Sequence, residues 1–471
     1  MEERLKKVMM EAAALVAFAV LGEVVACKDA AKINGELYST RAIASRETPA
    51  ESGLQGRIDA AAQNGGGVVE LAAGLHESGA LLLKSGVTLR LAEGAILRAR
   101  PDKAAYAPSE GHAFILAEHS DNVAIEGPGV IDGGGEDFPA GSLEVLQQPR
   151  LVWFRDCRNV RVENVTLRNG RRWTLYLDRC DGVGVRKVTI RSTRQRCCDG
   201  IDLECRNALV EDCDIESHDD AICFKNRSSD YTVRNVEVRN CRLATNCSFI
   251  KVGTETLGTI RDIHVHHCSL HATTFSFWKM DTWPEAAEFG LMRGPLGMVG
   301  VNLQMNDGGI LENVRVHDID MVSGVGVPFA VRLTERGKRV LPGRSALSNV
   351  VVENVRGRTL LKVASSVIGT RNIRPQDVLF RNVDLEIEGG GALPVVVPEI
   401  EPGDDAKGLW LSIFDAYGFY LRHADGVRFD NVILRPRRTT DRPLFTTTDC
   451  TAIDVRGLVA RGRENAETLE R

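Results

Sequence analysis

The sequence has no excess of basic residues. Its 59 lysines and arginines face 64 acidic residues, for a formal net charge of −5. That balance excludes a broad nucleic-acid-binding footprint. Long apolar runs are missing as well. The run from Ala12 to Gly22 is too short to span a bilayer, and no other segment could cross one. No CxxC pair occurs among the 12 cysteines, which argues against zinc frameworks. Helix-type periodicity is scarce. In its place stand 45 glycines and short runs of Val, Ile, Thr and Asn, the composition of strands joined by turns.

The N-terminus opens with mixed charges (Glu2, Glu3, Arg4, Lys6, Lys7), then the run Ala12 to Gly22, then Val24-Val25-Ala26-Cys27. The run has the length of a signal-peptide apolar region. Val-Val-Ala-Cys resembles a bacterial lipoprotein cleavage box, with Cys27 as the lipidated residue. Residues 1–27 are therefore expected to direct export to the periplasm, the outer membrane or the exterior. The alternative is a retained N-terminal helix in a cytosolic protein. Residues 28–140 are expected to form an N-terminal cap and first coils, 141–460 the coils carrying any chemistry, and 461–471 a charged tail.

A short amphipathic helix is expected from Leu54 to Ala62. Turn-then-strand units follow, at Asn64 to Leu71, Lys84 to Leu91, Asp121 to Ile125 and Gly129 to Gly133. After residue 150 a repeat emerges: a short strand, a polar residue, then Val or Cys. It reads Val160 to Val165, Val183 to Val188 and Ala208 to Cys213. It continues from Val236, Ile263, Ile310, Val350, Val378 and Val427. The first spacings are 23 and 25 residues, with no intervening helices. Such a period marks a solenoid, here a parallel β-helix. Cys213, Cys241 and Cys268 take the place of Val165 and Val188, so they are expected to be core residues in a column. Cys157, Cys180 and Cys205 share a second column.

Aligning the coils by their apolar residues matches Leu175 and Leu177 with Ile201 and Leu203, then with Ile222 and Phe224, then with Ile250 and Val252. One column then holds Trp173, Asp199, Asp220 and Ser248. The alternate column holds Tyr176, Asp202, Cys223 and Lys251, expected to face outward. Neighbouring coils sit about 4.8 Å apart. Asp199 and Asp220 are thus expected side by side, with Asp219 at the strand entrance. Like charges that close raise at least one carboxyl pKa. One protonated acid beside a carboxylate is what glycoside hydrolysis requires. The plainer reading is a set of turn-capping aspartates in solvent.

These residues resemble glycoside hydrolase family 28, the polygalacturonase-like pectinases, over roughly residues 48–385. The resemblance rests on Ile58-Asp59-Ala60-Ala61 through Leu83 to Leu89, on Gly127 to Gly133, and on two central motifs. Cys197 to Asp202 corresponds to the family's Asn-Thr-Asp-Gly-Ile-Asp, and His218 to Ile222 to its Gly-Asp-Asp-x-Ile. The resemblance implies an all-β, right-handed, single-stranded parallel β-helix and inverting hydrolysis of an acidic polysaccharide. It assigns Asp219 as general acid and Asp199 and Asp220 to water activation, and it implies no metal or organic cofactor. The expected partner is a polysaccharide or oligosaccharide substrate, met by a monomer.

The family's Gly-His-Gly motif falls on Cys247-Ser248-Phe249, so its His is absent. Its Arg-Ile-Lys motif falls near Phe277-Trp278-Lys279, leaving Lys279 as the candidate for the substrate carboxylate. Phe249 to Glu255 looks like a Lys-x-Gly-Thr-Glu branch of the family. That makes Lys251 and Glu255, with Asp202, substrate-binding candidates. Arg332 and Arg336 are further carboxylate-binding candidates. Trp173 and Tyr176 are candidate sugar-stacking platforms, and Trp278 and Trp283 lie in the long insertion after Cys268. Two other functions stay open. A β-helix lyase would use Lys251 as base, often with Ca2+, and a carbohydrate-binding solenoid would have no catalysis.

Overall fold

The computed structural model describes residues 52–101, 113–137, 148–195, 197–275, 296–336, 344–391, 399–400, 414–461 and 466–468. The expected signal peptide, Cys27, Lys279, Trp278 and Trp283 lie outside these residues, as does most of the expected charged tail. The chain folds as a parallel β-helix. By packing it divides into two compact units. One contains the residues up to Gly184 together with Val188–Asp199. The other contains Val185–Lys187 and everything from Gly200 onward.

The first unit begins with the helix Ser52–Gln63, matching the expected amphipathic segment. Its inward Ile58 is fully buried. Gln55 on the same helix uses its side-chain amide as a strand would. Its Oε1 accepts from Leu82 N at 2.8 Å and its Nε2 donates to Leu82 O at 3.1 Å. The helix thereby covers a strand edge that would otherwise be open. The turn at Gly66 needs glycine: its φ is +114°, and a Cβ there would stand 2.6 Å from the Gly86 carbonyl oxygen.

Three faces then build up in parallel register. Gly67–Leu71 pairs with Val87–Leu91, which pairs with Asp121–Glu126, which pairs with Arg158–Glu163. Leu81–Leu83, Ala113–Glu118, Arg150–Arg155 and the start of Leu175–Arg186 make the second face. Gly74–Ser78, Ala95–Ala99, Val130–Asp132, Thr166–Arg168 and Thr189–Ser192 make the third. The coils on either side of residue 140 belong to one stack, since Ile115 pairs with Val152 and Ala117 with Phe154.

The second unit repeats this plan. The repeat residues Ala208, Val236, Ile263, Val350, Val378 and Val427 share one column, but Ile310 does not start its unit there: it pairs with Thr259, and Val314 takes the column position between Ile263 and Val350. The column residues are all buried at 5% exposure or less. Cys213, Cys241 and Cys268 are each buried, as expected for small apolar fillers.

The polar residue before each Val or Cys has a structural reason. Asp212, Asn240, His267, Asp318, Asn354, Asn382 and Asn431 all have φ between +49° and +57°. Asn and Asp tolerate this left-handed region because their short side chains bond locally. Here they also bond between coils. Asn354 donates to Asp318 at 3.0 Å, Asn382 to Asn354 at 3.1 Å and Asn431 to Asn382 at 3.0 Å. A second ladder runs through Asn207 and Asn235, and through Asp262, Asn313 and Asn349, at 2.7 to 3.0 Å.

Asn382→Ala tests the corner. It removes two ladder bonds and places a Cβ residue without a local polar group at φ +49°. The expected loss is about 1–3 kcal/mol, read from the denaturation midpoint. Asn382→Gly keeps the conformation and should cost less than the alanine variant. The reverse order would show that the corner does not need the left-handed geometry.

Candidate active site

The site is built on one face of the second unit, where five coils align. Ile201, Ile222, Ile250 and Val301 stand over one another and point into the core, and so do Leu203, Phe224, Val252 and Leu303. Between them runs the alternate column Asp202, Cys223, Lys251 and Asn302, continuing to Ala330. The register is the one expected from sequence, but the column is not open to solvent. Asp202 and Cys223 are fully buried and Asn302 is 2% exposed. The outward direction holds; the exposure does not. Groups from outside the column fill the space: Lys225 meets Asp202, Asp220 meets Lys251 and Ser248 meets Asn302.

Asp219 and Asp220 enter the strand Ile222–Asn226. Their backbone is held from both sides. Ser217 Oγ donates to the Asp219 carbonyl at 2.7 Å, and Thr245 Oγ1 donates to the same oxygen. Asp219 Oδ1 accepts from the Asp220 amide at 2.9 Å. Asp220 is 3% exposed. Its Oδ1 accepts from the Ser248 amide at 3.1 Å, and its Oδ2 lies 2.8 Å from Lys251 Nζ. Asn302 steadies the coil above by donating to Ser248 Oγ at 2.9 Å. Gly200, one residue after Asp199, must stay small. A Cβ there would stand 2.5 Å from the Ala221 carbonyl oxygen.

The electrostatics split the two acids. Burial first, and the Asp220 charge second, push the Asp219 carboxyl above its usual range; Lys251 opposes them. Burial works against the Lys251 charge, but Asp220 and the other acidic groups around it outweigh burial. The ammonium is held well above its ordinary pKa. So Asp219 is the carboxyl favoured to keep a proton, beside a carboxylate ion-paired to a persistent cation. Cys247 completes the group; its thiol is pushed up by burial and the two aspartates. Ligand atoms of Asp219, Asp220 and Cys247 lie within 4.8 Å of one another, close enough to hold a cation. The Lys251 ammonium already supplies positive charge there.

A family model described as "Glycosyl hydrolases family 28" matches residues 72–288. An endo-polygalacturonase from Pectobacterium carotovorum subsp. carotovorum is 30% identical over 224 residues. That match covers 41% of this chain and 56% of the relative, so only about half the relative's length is spanned. An endo-polygalacturonase from Pectobacterium parmentieri is 28% identical, with 59% of its length covered. The solved exopolygalacturonase of Thermotoga maritima superposes with a TM-score of 0.61 at 19% identity. There 86% of this chain and 96% of that one are covered, and the likeness is one of fold.

The match to glycosyl hydrolase family 28 spans residues 72–288, a little under half of the chain.

Several sequence candidates change meaning in the structure. Lys225, three residues after Ile222, lies between Asp202 at 3.4 Å and Glu255 at 3.0 Å. Asp202 and Glu255 are thus members of an internal ion network. Arg336 pairs with Asp307 at 2.8 Å and donates to the Thr254 carbonyl at 2.9 Å, bracing the segment that carries Glu255. Arg332 is 1% exposed, and burial lowers its guanidinium to about 9.

Trp173 and Tyr176, in the first unit, are not open platforms. Tyr176 is fully buried, Trp173 meets its edge at 5.0 Å and Trp153 stacks on it at 5.7 Å. The Arg150 guanidinium sits 4.5 to 5.3 Å from all three rings. These cation–π contacts hold the cluster shut. Asp199 closes the first unit, 3% exposed, its carbonyl accepting from Thr174 N at 2.9 Å.

Two stability measurements follow from the charges. Lys251→Met leaves a buried carboxylate without its cation and should cost about 3–5 kcal/mol. Adding Asp220→Asn to that variant should recover part of the loss. Asp219 acts in the opposite sense. Its folded pKa lies above the unfolded value of 3.8, so its contribution is present below 3.8 and is lost as pH rises through the folded value. Asp219→Asn should therefore be more stable than the parent at neutral pH, with the difference vanishing under acid conditions. Melting temperatures across pH check this, and equal pH slopes would exclude a raised Asp219.

Proposed function

We propose that this chain is a glycoside hydrolase that cleaves glycosidic bonds in pectin-type or related acidic polysaccharides. The observation that carries the reading is the split pair: Asp219 pushed above its usual range beside an Asp220 that is ion-paired to Lys251. Both Pectobacterium relatives are named endo-polygalacturonases, which supports pectic substrates. In this reading Asp219 donates its proton to the leaving glycosidic oxygen as the bond to the anomeric carbon breaks. Asp220, with Asp199 assigned by motif, accepts a proton from water as its oxygen attacks the opposite side of that carbon. The anomeric configuration inverts. Ser248 stands where the family motif would supply a His, and Lys251, three residues on, pairs with Asp220. Lys279 is assigned by the same motif logic to the substrate carboxylate.

Export fits a polymeric substrate, and the segment Ala12 to Cys27 supports it, with Cys27 as the lipid-bearing residue. A lyase reading would need Lys251 as a base. A lysine held well above its ordinary pKa is poorly suited to take a proton.

A product assay on a panel of pectic and other acidic glycans tests the proposal, with anomeric configuration followed by NMR. Inverted reducing sugars are expected. Retained configuration, or unsaturated uronates that disappear with a chelator, would overturn it. Asp219→Asn should lower kcat by about 10²–10⁴-fold. The alkaline limb of the pH–rate profile should move upward in Lys251→Gln, because Lys251 is a group that lowers the Asp219 pKa. Full activity in well-folded Asp219→Asn would favour another acid or a binding protein.

A further inference from the structure

Four of the chain's ten histidines meet on another face of the second unit, away from the strand that Asp219 and Asp220 enter. His264, His266 and His267 lie on the strand Thr259–His271, and His317 on the next coil in Ile310–Leu333. The register sets His266 directly opposite His317, and their rings stack at 4.9 Å with planes 5° apart. The residues after them, His267 and Asp318, occupy the left-handed corner, where neighbouring coils carry Asn240 and Asn354.

Two carboxylate–imidazole–imidazole chains result. Glu237 Oε1 meets His266 Nε2 at 3.1 Å, and His266 Nδ1 meets His267 Nδ1 at 2.6 Å. Asp318 Oδ2 meets His317 Nδ1 at 2.5 Å, and His317 Nε2 meets His264 Nε2 at 2.5 Å. Nitrogens face nitrogens twice in one small patch. Such a pair always sets a lone pair against a group that must supply the single proton, so each contact depends on one tautomer. A cation that accepts lone pairs removes that dependence.

We propose that His267, His317 and Asp318 form a binding site for one divalent transition-metal ion of the Zn2+ class. One ligand atom from each of the three lies within 4.8 Å of the other two. Tetrahedral Zn2+ with bonds near 2.0–2.1 Å holds its ligands about 3.4 Å apart, so small side-chain rotations close the set. Imidazole plus carboxylate suits Zn2+, Cu2+ or Ni2+ better than Ca2+ or Mg2+, which prefer all-oxygen shells. The fourth position has a route to solvent, since the His267 side chain is 58% exposed and Asp318 35%. The remaining groups orient the ligands. Asn354 donates to Asp318 Oδ1, which leaves Oδ2 turned toward the imidazoles. His266 braces His267, and Glu237 braces His266, the outer-shell arrangement that fixes ring orientation at metal sites. The ligands stand on paired strands of the solenoid, and rigid elements favour precise sites.

The test uses untagged, chelator-treated full chain titrated with ZnCl2 by calorimetry, with zinc per chain measured after gel filtration. One ion per chain is expected, with a micromolar dissociation constant. His267→Gln and His317→Gln should each weaken binding at least tenfold, and Asp318→Asn should weaken it too. His271→Gln, a neighbouring histidine outside the set, should bind as the parent does. Zinc should raise the melting temperature of the parent and not of His267→Gln. His267 is exposed, so its variant keeps the test valid if His317→Gln folds poorly. Absence of binding at millimolar zinc, or binding that survives the His267→Gln/His317→Gln double change, would overturn the proposal. So would binding that is lost in Cys247→Ser instead, since the ion would then sit at the aspartate pair.

Discussion

The step of about 4.8 Å between parallel coils decides what can touch what in this protein. Residues some 25 positions apart become nearest neighbours, and identical positions stack. A residue type that works once in this geometry works in every coil. That explains the valine column, the cysteine column and the asparagine corners with one constraint. It also explains why charge must be managed. A stacked column repeats its electrostatic errors, and several buried acids here meet a cation from a neighbouring coil. Lys251 answers Asp220, Lys225 answers Asp202 and Glu255, and Arg336 answers Asp307.

The same step concentrates function. Asp219 and Asp220 are adjacent in the chain, and adjacency alone would leave two solvated turn residues. The coil above makes the difference. It delivers the Ser248 amide and the Lys251 ammonium to Asp220, and Thr245 to the Asp219 backbone. Asp220 is thereby held in an ion pair, and burial pushes the Asp219 carboxyl above its usual range. Two chemically identical side chains acquire different surroundings, the kind of division that acid-assisted bond cleavage needs.

Much of this was legible in the sequence because a solenoid writes its register into its period. Matching Ile201, Ile222 and Ile250 by eye gave the column Asp202, Cys223, Lys251 that the strands adopt. The cysteines could be read as core fillers because valines stand in the same place one coil earlier. What periodicity could not give was exposure. Alternation says which way Tyr176 and Asp202 point. It is silent on whether Arg150 or Lys225 lies on top of them. Lys225 follows the motif by three residues, and a lone lysine on an outward position reads as a surface charge. Only the coincidence of Asp202 below and Glu255 above in the stack identifies it as buried, and that requires three coils at once.

The departures from the family pattern can be placed on the same footing. Replacing a His motif by Ser248 and Lys251 exchanges a group that titrates near neutrality for one whose charge Asp220 helps to fix. A neighbouring imidazole would let the charge beside Asp219 vary with pH. A persistent ammonium keeps that charge constant. Cys197-Cys198 in place of Asn-Thr acts in the same direction. Both cysteines are buried at 2% exposure or less, and Cys198 Sγ donates to the Gly170 carbonyl at 3.0 Å. Polar groups able to reach a sugar are exchanged there for apolar ones that pack inward. The carboxylates are the part of the pattern that is kept, and the groups around them are the part that has changed. Under the proposed function, those surrounding groups are where sugar recognition would depart from that of the polygalacturonase relatives.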